Sequence, residues 1–175
     1  YEFARDNALN LENFLKTHEI ATRHLLVDYQ RGVVRTGNMV IMEQHTNRIQ
    51  YEAPGFTIVH REFEKFWAKL SELIEKQLSI EEVFYFASFI HLVFVKIHPF
   101  NDGNGRTARL LEKWFLATKL GNKAWYIGSE NYYYQNLQTY YNNLARVGLF
   151  YEELEYKKGI PFLLMLPNAL TTESK

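Results

Sequence analysis

His98-Pro99-Phe100-Asn101-Asp102-Gly103-Asn104-Gly105-Arg106-Thr107-Ala108-Arg109 lies past the midpoint of a 175-residue chain and joins two long helical patterns. Upstream, Val83, Phe84, Phe86, Ala87, Ile90, Val93, Phe94 and Ile97 crowd a segment that is apolar on nearly every side, which predicts the buried centre of a helical bundle. Ser79 suits its N-cap, and Glu82 three residues on completes a capping box. Pro99 disfavours helical backbone in the residue before it, so this helix must end near Ile97 and leave His98 with a fixed backbone direction. Downstream, a second helix is predicted from about Asn104 to Leu120, where Gly121 stops it.

Working outward, helices are predicted over about 59–76, 130–145, 149–158 and 161–170, with Pro161 suited to a first helical position. Leu11, Phe14, Leu15, His18, Leu25 and Leu26 recur at helical spacing and predict a helix over 8–28. Residues 33–53 differ. Val33-Val34-Arg35-Thr36 and Met39-Val40-Ile41-Met42 are rich in β-branched or apolar residues, His45-Thr46-Asn47 is turn-like, and Arg48 to Glu52 alternates. This is a β-hairpin, closed by Pro54-Gly55. The fold class is therefore all-α: a helical bundle with one β-hairpin. A lone two-stranded hairpin is marginal, so it must lie on the bundle or on a partner. No linker or repeat divides the chain, and one domain over 1–175 is expected, with its core at about 20–170.

Composition narrows the class. Hydrophobic residues make up 47% and charged residues 23%, as in globular proteins, and Lys+Arg and Asp+Glu both number 20. Zero net charge argues against a nucleic-acid partner. The absence of cysteine excludes disulfides and thiolate metal sites. The chain opens Tyr1-Glu2-Phe3 without an initiator Met or signal peptide, so a fragment truncated before residue 1 is one expectation. The longest apolar stretch, Phe84 to Ile97, is interrupted by Tyr85, His91 and Lys96 and is too short to span a bilayer. A soluble, cytoplasmic protein with no membrane partner is expected.

The joining segment carries chemistry. His98, held at a helix end, suits a proton acceptor near neutral pH. Gly103 and Gly105 flank Asn104 and let a ligand approach the backbone, and the helix that follows aims free N–H groups at one spot. Arg106 and Arg109 share a helix face beside it and supply two guanidinium groups for phosphates. Asp102, just ahead, is most simply a magnesium ligand beside phosphates. Base, metal carboxylate, phosphate cradle and two cations together suggest phosphate-transfer chemistry built on positioning and electrostatics.

The stretch resembles the Fic family signature, His-Pro-Phe-x-Asp/Glu-Gly-Asn-Gly-Arg-x-x-Arg, at every fixed position. Gly32 to Arg35, the hairpin, Tyr51 to Pro54 and Tyr133-Tyr134-x-x-Leu137 resemble family features too, so the likeness runs from about residue 20 onward. It implies a protein adenylyltransferase that moves AMP from ATP to a Tyr, Thr or Ser hydroxyl of a target protein. By resemblance, His98 is the general base and Phe100 anchors the loop. Asp102 binds Mg2+, Gly103, Asn104 and Gly105 form the anion hole, and Arg106 and Arg109 steady the triphosphate, Arg109 at the γ-phosphate. The hairpin, about Asn38 to Glu52, would be the family's flap beside the active site, docking the target by main-chain pairing through Asn38, Met39, Val40, Ile41, Ile49, Gln50 and Tyr51. Tyr133 and Tyr134 resemble residues on the adenine side.

Plainer readings stand beside these. His98 alone would be a structural histidine, Arg106 and Arg109 a solvated face, and Asp102 an N-cap. Tyr132-Tyr133-Tyr134 with Tyr140-Tyr141 reads as helix packing before it reads as a nucleotide stack, His91 as a core or supporting histidine, and Trp67, Trp114 and Trp125 as core. Many family members carry an inhibitory helix of pattern Ser/Thr-x-x-x-Glu-Gly/Asn. Ser71 to Glu75 has that spacing, but Lys76 follows inside a predicted long helix, so the match is coincidental. Such a segment is expected before Tyr1, after Lys175, in an antitoxin-like partner, or nowhere. The rival activities are UMP or phosphate transfer, AMP removal, and a silent peptide-binding module. Gly105 argues against phosphate transfer, because Doc-type members carry lysine there.

Overall fold

The long helix that leads into the motif organises everything else. The computed structural model describes residues 1–42 and 48–172. In chain order its helices are α1 (Glu2–Asp6), α2 (Leu11–Thr22), α3 (Phe56–Glu75), α4 (Ile80–Ile97), α5 (Asn104–Leu120), α6 (Ser129–Gln135), α7 (Leu137–Arg146), α8 (Ile160–Leu163) and α9 (Met165–Thr172). The hairpin strands are β1 (Val40–Met42) and β2 (Ile49–Glu52). The architecture is the expected all-α bundle with one antiparallel hairpin.

Helix α4 is the central rod because it is apolar all round, as the pattern of its residues requires. Its Val83, Ala87, Ile90, Phe94 and Ile97 pack into one core with α2, α3 and α5, around Phe14, Phe63, Leu111 and Phe115. Its Leu92 joins a second core with Tyr133, Tyr140, Leu144 and Phe162 from α6, α7 and α8. The predicted capping box starts it: Glu82 N–H donates to Ser79 Oγ at 3.3 Å, and Ser79 N–H to Glu82 Oε2 at 2.8 Å. Helix α5 has the predicted ends and lies against α4.

Four predicted helices are shorter or broken, the one expected over 161–170 being split at Leu164 into α8 and α9. The helix expected over 8–28 ends at Thr22, where Leu25 and Leu26 N–H both turn back onto the Thr22 carbonyl. The helix expected over 130–145 breaks at Asn136, whose side chain and N–H both bond the Tyr132 carbonyl. The segment 149–158 forms two 3-10 turns, Tyr151–Glu153 and Tyr156–Gly159, between Gly148 at φ +139° and the closely packed Gly159. Pro161 sits in the first turn of α8 as expected.

The hairpin pairs Val40 with Glu52, Ile41 with Tyr51 and Met42 with Ile49, with an irregularity between Ile41 and Met42. Val33 to Thr36 forms no strand, because Arg35 turns both its backbone and its side chain onto other partners. The predicted His45-Thr46-Asn47 turn lies outside the described residues. The hairpin lies on the bundle. Glu52 N–H donates to the Leu149 carbonyl at 2.7 Å, and the buried Tyr51 hydroxyl donates to the Lys96 carbonyl of α4 at 2.5 Å.

Candidate active site

His98 is the one non-glycine residue with positive φ among the described residues (φ 49°, ψ 57°). Proline was expected to push it out of the helix; the structure places it in the left-handed region, as a helix C-cap. Its N–H still donates to Phe94 O at 3.0 Å, and its carbonyl accepts Arg35 Nε at 2.9 Å. Left-handed backbone is uncommon for any residue but glycine, and these bonds hold His98 in it.

The same geometry fixes the imidazole. Nδ1 lies 3.2 Å from the Val95 carbonyl, which can only accept, so Nδ1 carries the proton and Nε2 keeps its lone pair. Burial, reinforced by the charges of Arg35 and Lys96, lowers the His98 pKa to about 4. The ring is thus neutral at pH 7. It lines a cavity of about 350 Å³ under the hairpin, together with Ile41, Ile49, Gln50, Tyr51, Lys96 and Tyr141.

After His98 the loop is wired into the core. The Phe100 ring is fully buried against Phe14, Phe63 and Phe94 and stacks on His18 with centroids 3.7 Å apart. The buried Asn104 side chain closes the loop from both sides: Phe100 N–H donates to its Oδ1 at 2.9 Å, and its Nδ2 donates to Phe100 O at 2.8 Å. That amide is engaged with the loop, so Asn104 can offer a ligand only its backbone N–H. The first intrahelical bond of α5 runs from Thr107 N–H to Gly103 O, which leaves the N–H groups of Asn104, Gly105 and Arg106 at the helix start. With the helix dipole, N–H groups so placed suit an anion.

Gly103 caps α5 at φ +80°, and a Cβ there would come within 2.7 Å of Thr22 Cγ2. Asp102 is not the N-cap; its Oδ1 accepts the Gly103 N–H at 2.5 Å, and Arg106 Nη2 lies 3.8 Å away. The Asp102 side chain is half exposed. The Arg109 Nη1 lies 3.5 Å from where a Gly105 Cβ would sit, so the guanidinium folds back toward the helix start.

The motif does not share one closed cavity. His98 lines the cavity under the hairpin, whereas Arg106 and Arg109 line another of about 230 Å³ with Tyr1, Thr17 and Glu130. Asp102, just ahead of α5, neighbours Arg106, and its charge acts on His98.

Two flap residues and one adenine-side residue have other roles. Asn38 Oδ1 accepts Phe56 N–H at 3.0 Å and caps α3. Tyr51 is 6% exposed and anchors the hairpin to α4 with its ring under Lys96 Nζ, while Val40, Ile49 and Gln50 are exposed and Met39 and Ile41 half-buried. Tyr133 is 2% exposed, with its hydroxyl on Glu112 and its ring among His91, Tyr140 and Phe162, so no face is left for a base. Tyr134 is 77% exposed. Tyr141 and Gln138 of α7 line the cavity by His98 instead.

Sequence reasoning missed two positioning residues. Arg35 is 1% exposed and ties motif to hairpin: backbone N–H to Pro99 O at 2.8 Å, Nε to His98 O, Nη1 to Gly37 O and Nη2 to Pro54 O, both at 2.6 Å. His18 of α2 donates from Nε2 to Asp102 O and accepts the Gly32 N–H at Nδ1, each at 2.9 Å. Burial lowers its pKa, which keeps that tautomer neutral. Both partner sets are backbone groups, which leave no complementary side chain to find.

A neutral imidazole, a helix start with free N–H groups and two guanidinium groups are carried on one helical scaffold. The chain belongs to the Fic/DOC family, whose model matches residues 8–116; members commonly transfer AMP or other groups onto proteins. Solved structures agree on the fold. A Fic family protein from Desulfovibrio desulfuricans G20 superposes with a TM-score of 0.68 at 23% identity, over 100% of this chain and 51% of its own. A Fic domain containing signaling protein from Bacteroides thetaiotaomicron VPI-5482 gives 0.67 at 19%, over 97% and 64%. Fic-1 from C. elegans gives 0.51 at 17%, over 97% and 46%. The chain thus spans about half to two thirds of these proteins. No curated protein matches it. No helix among the described residues is long and apolar enough to cross a membrane.

Proposed function

We propose that the chain is a protein adenylyltransferase using ATP. The observation that carries this reading is His98: a left-handed helix cap whose Nδ1 is bound to Val95 O, so that a neutral imidazole lining the cavity under the hairpin keeps the Nε2 lone pair. The target hydroxyl approaches under the hairpin and gives its proton to His98 Nε2. Its oxygen bonds to the α-phosphorus, and the bond to the departing pyrophosphate breaks. The N–H groups at the start of α5 receive the phosphate oxygens, and Arg106 and Arg109 hold the tail.

Asp102 suits a shared magnesium ion. Among the described residues no cluster of three acidic or histidine ligands exists, and one half-exposed carboxylate is what an ion held mainly by phosphates and water asks of the protein. Bound there, Mg2+ would neutralise phosphate charge. Gly105 favours AMP over phosphate transfer, since Doc-type members carry lysine there. The exposed Val40, Ile49 and Gln50 give the hairpin a face for a target segment, and β1 has an outer edge without a strand partner among the described residues.

The test is transfer from ATP labelled in the α-phosphate, with Mg2+, into proteins of a cell lysate and into the chain itself. Label incorporation with a mass gain of one AMP, lost in His98→Asn, is the expected result. Incorporation from γ-labelled ATP instead, or equal labelling by the variant, would refute the proposal.

A further inference from the structure

The cavity under the hairpin holds a buried charge that the proposed reaction does not use. Lys96 of α4 lines it beside His98 and is 2% exposed. Its Nζ donates to the Gly148 carbonyl at 2.9 Å and lies 4.0 Å from the centroid of the Tyr51 ring. Among the described residues no carboxylate pairs with it. Burial lowers its pKa to about 8, which leaves it mainly protonated at pH 7.

A buried ammonium without a counter-charge is costly, and one carbonyl with a ring face compensates it only in part. Lysine has three N–H donors, and Gly148 takes one. The rest of the cavity wall has the same sign. Arg48 is the other charged residue that lines it, and no Asp or Glu does among the described residues. Gln50, Gln138 and Asn142 add neutral amides. Such a wall attracts an anionic guest and repels a cationic one.

We infer that Lys96 is a specificity-determining residue: it receives an Asp or Glu side chain of the target segment, placed two residues from the hydroxyl that is modified. The inference rests on the proposal that a target hydroxyl meets His98 under the hairpin. The spacing follows from geometry. Lys96 and His98 are two residues apart and line one cavity, so their Cα atoms lie within about 8 Å of each other. A target segment paired with the hairpin is extended, and its side chains at i and i+2 point to one face about 7 Å apart. A hydroxyl at His98 therefore brings residue i−2 or i+2 towards Lys96, while i−1 and i+1 point away.

Mass-spectrometric mapping of the sites that wild type and Lys96→Met adenylylate in a cell lysate tests it. Wild-type sites should be enriched in Asp or Glu at −2 or +2, and not at −1 and +1. Lys96→Met, which keeps an unbranched apolar stem and removes the charge, should lose that enrichment. A short synthetic peptide with Phe in place of the acceptor and Asp at −2 and +2 should compete for wild-type labelling about 10-fold better than its Asn counterpart, as one charge-assisted hydrogen bond requires. That comparison decides the matter if Lys96→Met does not fold. No acidic enrichment in the wild type, enrichment that Lys96→Met retains, or equal competition by the two peptides would overturn the inference. So would a loss of ATP affinity in Lys96→Met by titration calorimetry, which would assign the ammonium to the nucleotide. Absence of any wild-type labelling would instead overturn the reading of His98 as the base of AMP transfer.

Discussion

Replacing Arg35 by lysine should loosen the hairpin and the motif together. Three side-chain bonds radiate from the guanidinium, to His98 O at 2.9 Å and to Gly37 O and Pro54 O at 2.6 Å, in a residue 1% exposed. A lysine ammonium is a single point and cannot reach carbonyls on three sides, so at least two bonds are lost. Hydrogen bonds to charged groups contribute about 1.5–3 kcal/mol each, so Arg35→Lys should destabilise the domain by roughly 3–6 kcal/mol. Typical domains hold only about 5–15 kcal/mol, so the change is large. Urea unfolding measures the total. Hydrogen exchange at Val40–Met42 and Ile49–Glu52 locates it, because Gly37 and Pro54 bracket the hairpin. A loss under about 1 kcal/mol, with hairpin amides as protected as before, would refute the clamp.

The pH profile of transfer should fall on its acid side near pH 4 and not near 6.5, because burial holds His98 neutral to about 4; a profile breaking at 6.5 would place His98 in water. The same shift bears on stability. The folded pKa of His98 is below the unfolded value, so its contribution is complete above pH 6.5 and is lost as pH falls from 6.5 towards 4, by about 1.4 kcal/mol per unit. His18, also lowered, acts in the same direction. Melting temperature should drop through that window, less steeply in His98→Asn, whose side chain tolerates left-handed backbone. Gly103→Ala should destabilise by about 2 kcal/mol or more, since φ is +80° and the new Cβ would meet Thr22 Cγ2 at 2.7 Å. Thermal unfolding checks it, and an unchanged midpoint would mean that α2 yields freely.

Local grammar made much of this legible. Ser79 and Glu82 announce a cap that needs only four residues, and Gly103 and Gly121 bracket α5 because left-handed and other glycine conformations end helices there. The all-round apolar pattern of α4 could only be a central helix. What escaped depends on backbone partners far along the chain. Arg35 was read into a strand, because Val33-Val34 has strand composition; its guanidinium drew the segment onto Pro99 and His98. His18 looked like one more position on an amphipathic face. Asn136 interrupts a helix whose apolar spacing runs on unbroken, since spacing reports burial and not the competition for carbonyls. Tyr133 and Tyr140 were read first as packing, and they are core residues, but their hydroxyl chemistry emerged only when Glu112 and His91 came beside them.

The wiring of the motif loop also bears on how the domain comes into being. His18 is 84 residues from the carbonyl it binds and Arg35 is 63 from its own, so these contacts close long loops. Such contacts form late in a search, after helices have grown. During synthesis α2 and Arg35 leave the ribosome first and are already waiting when His98 to Gly103 emerge. A chain refolding from denaturant has no such order, and its last event should be the seating of this loop.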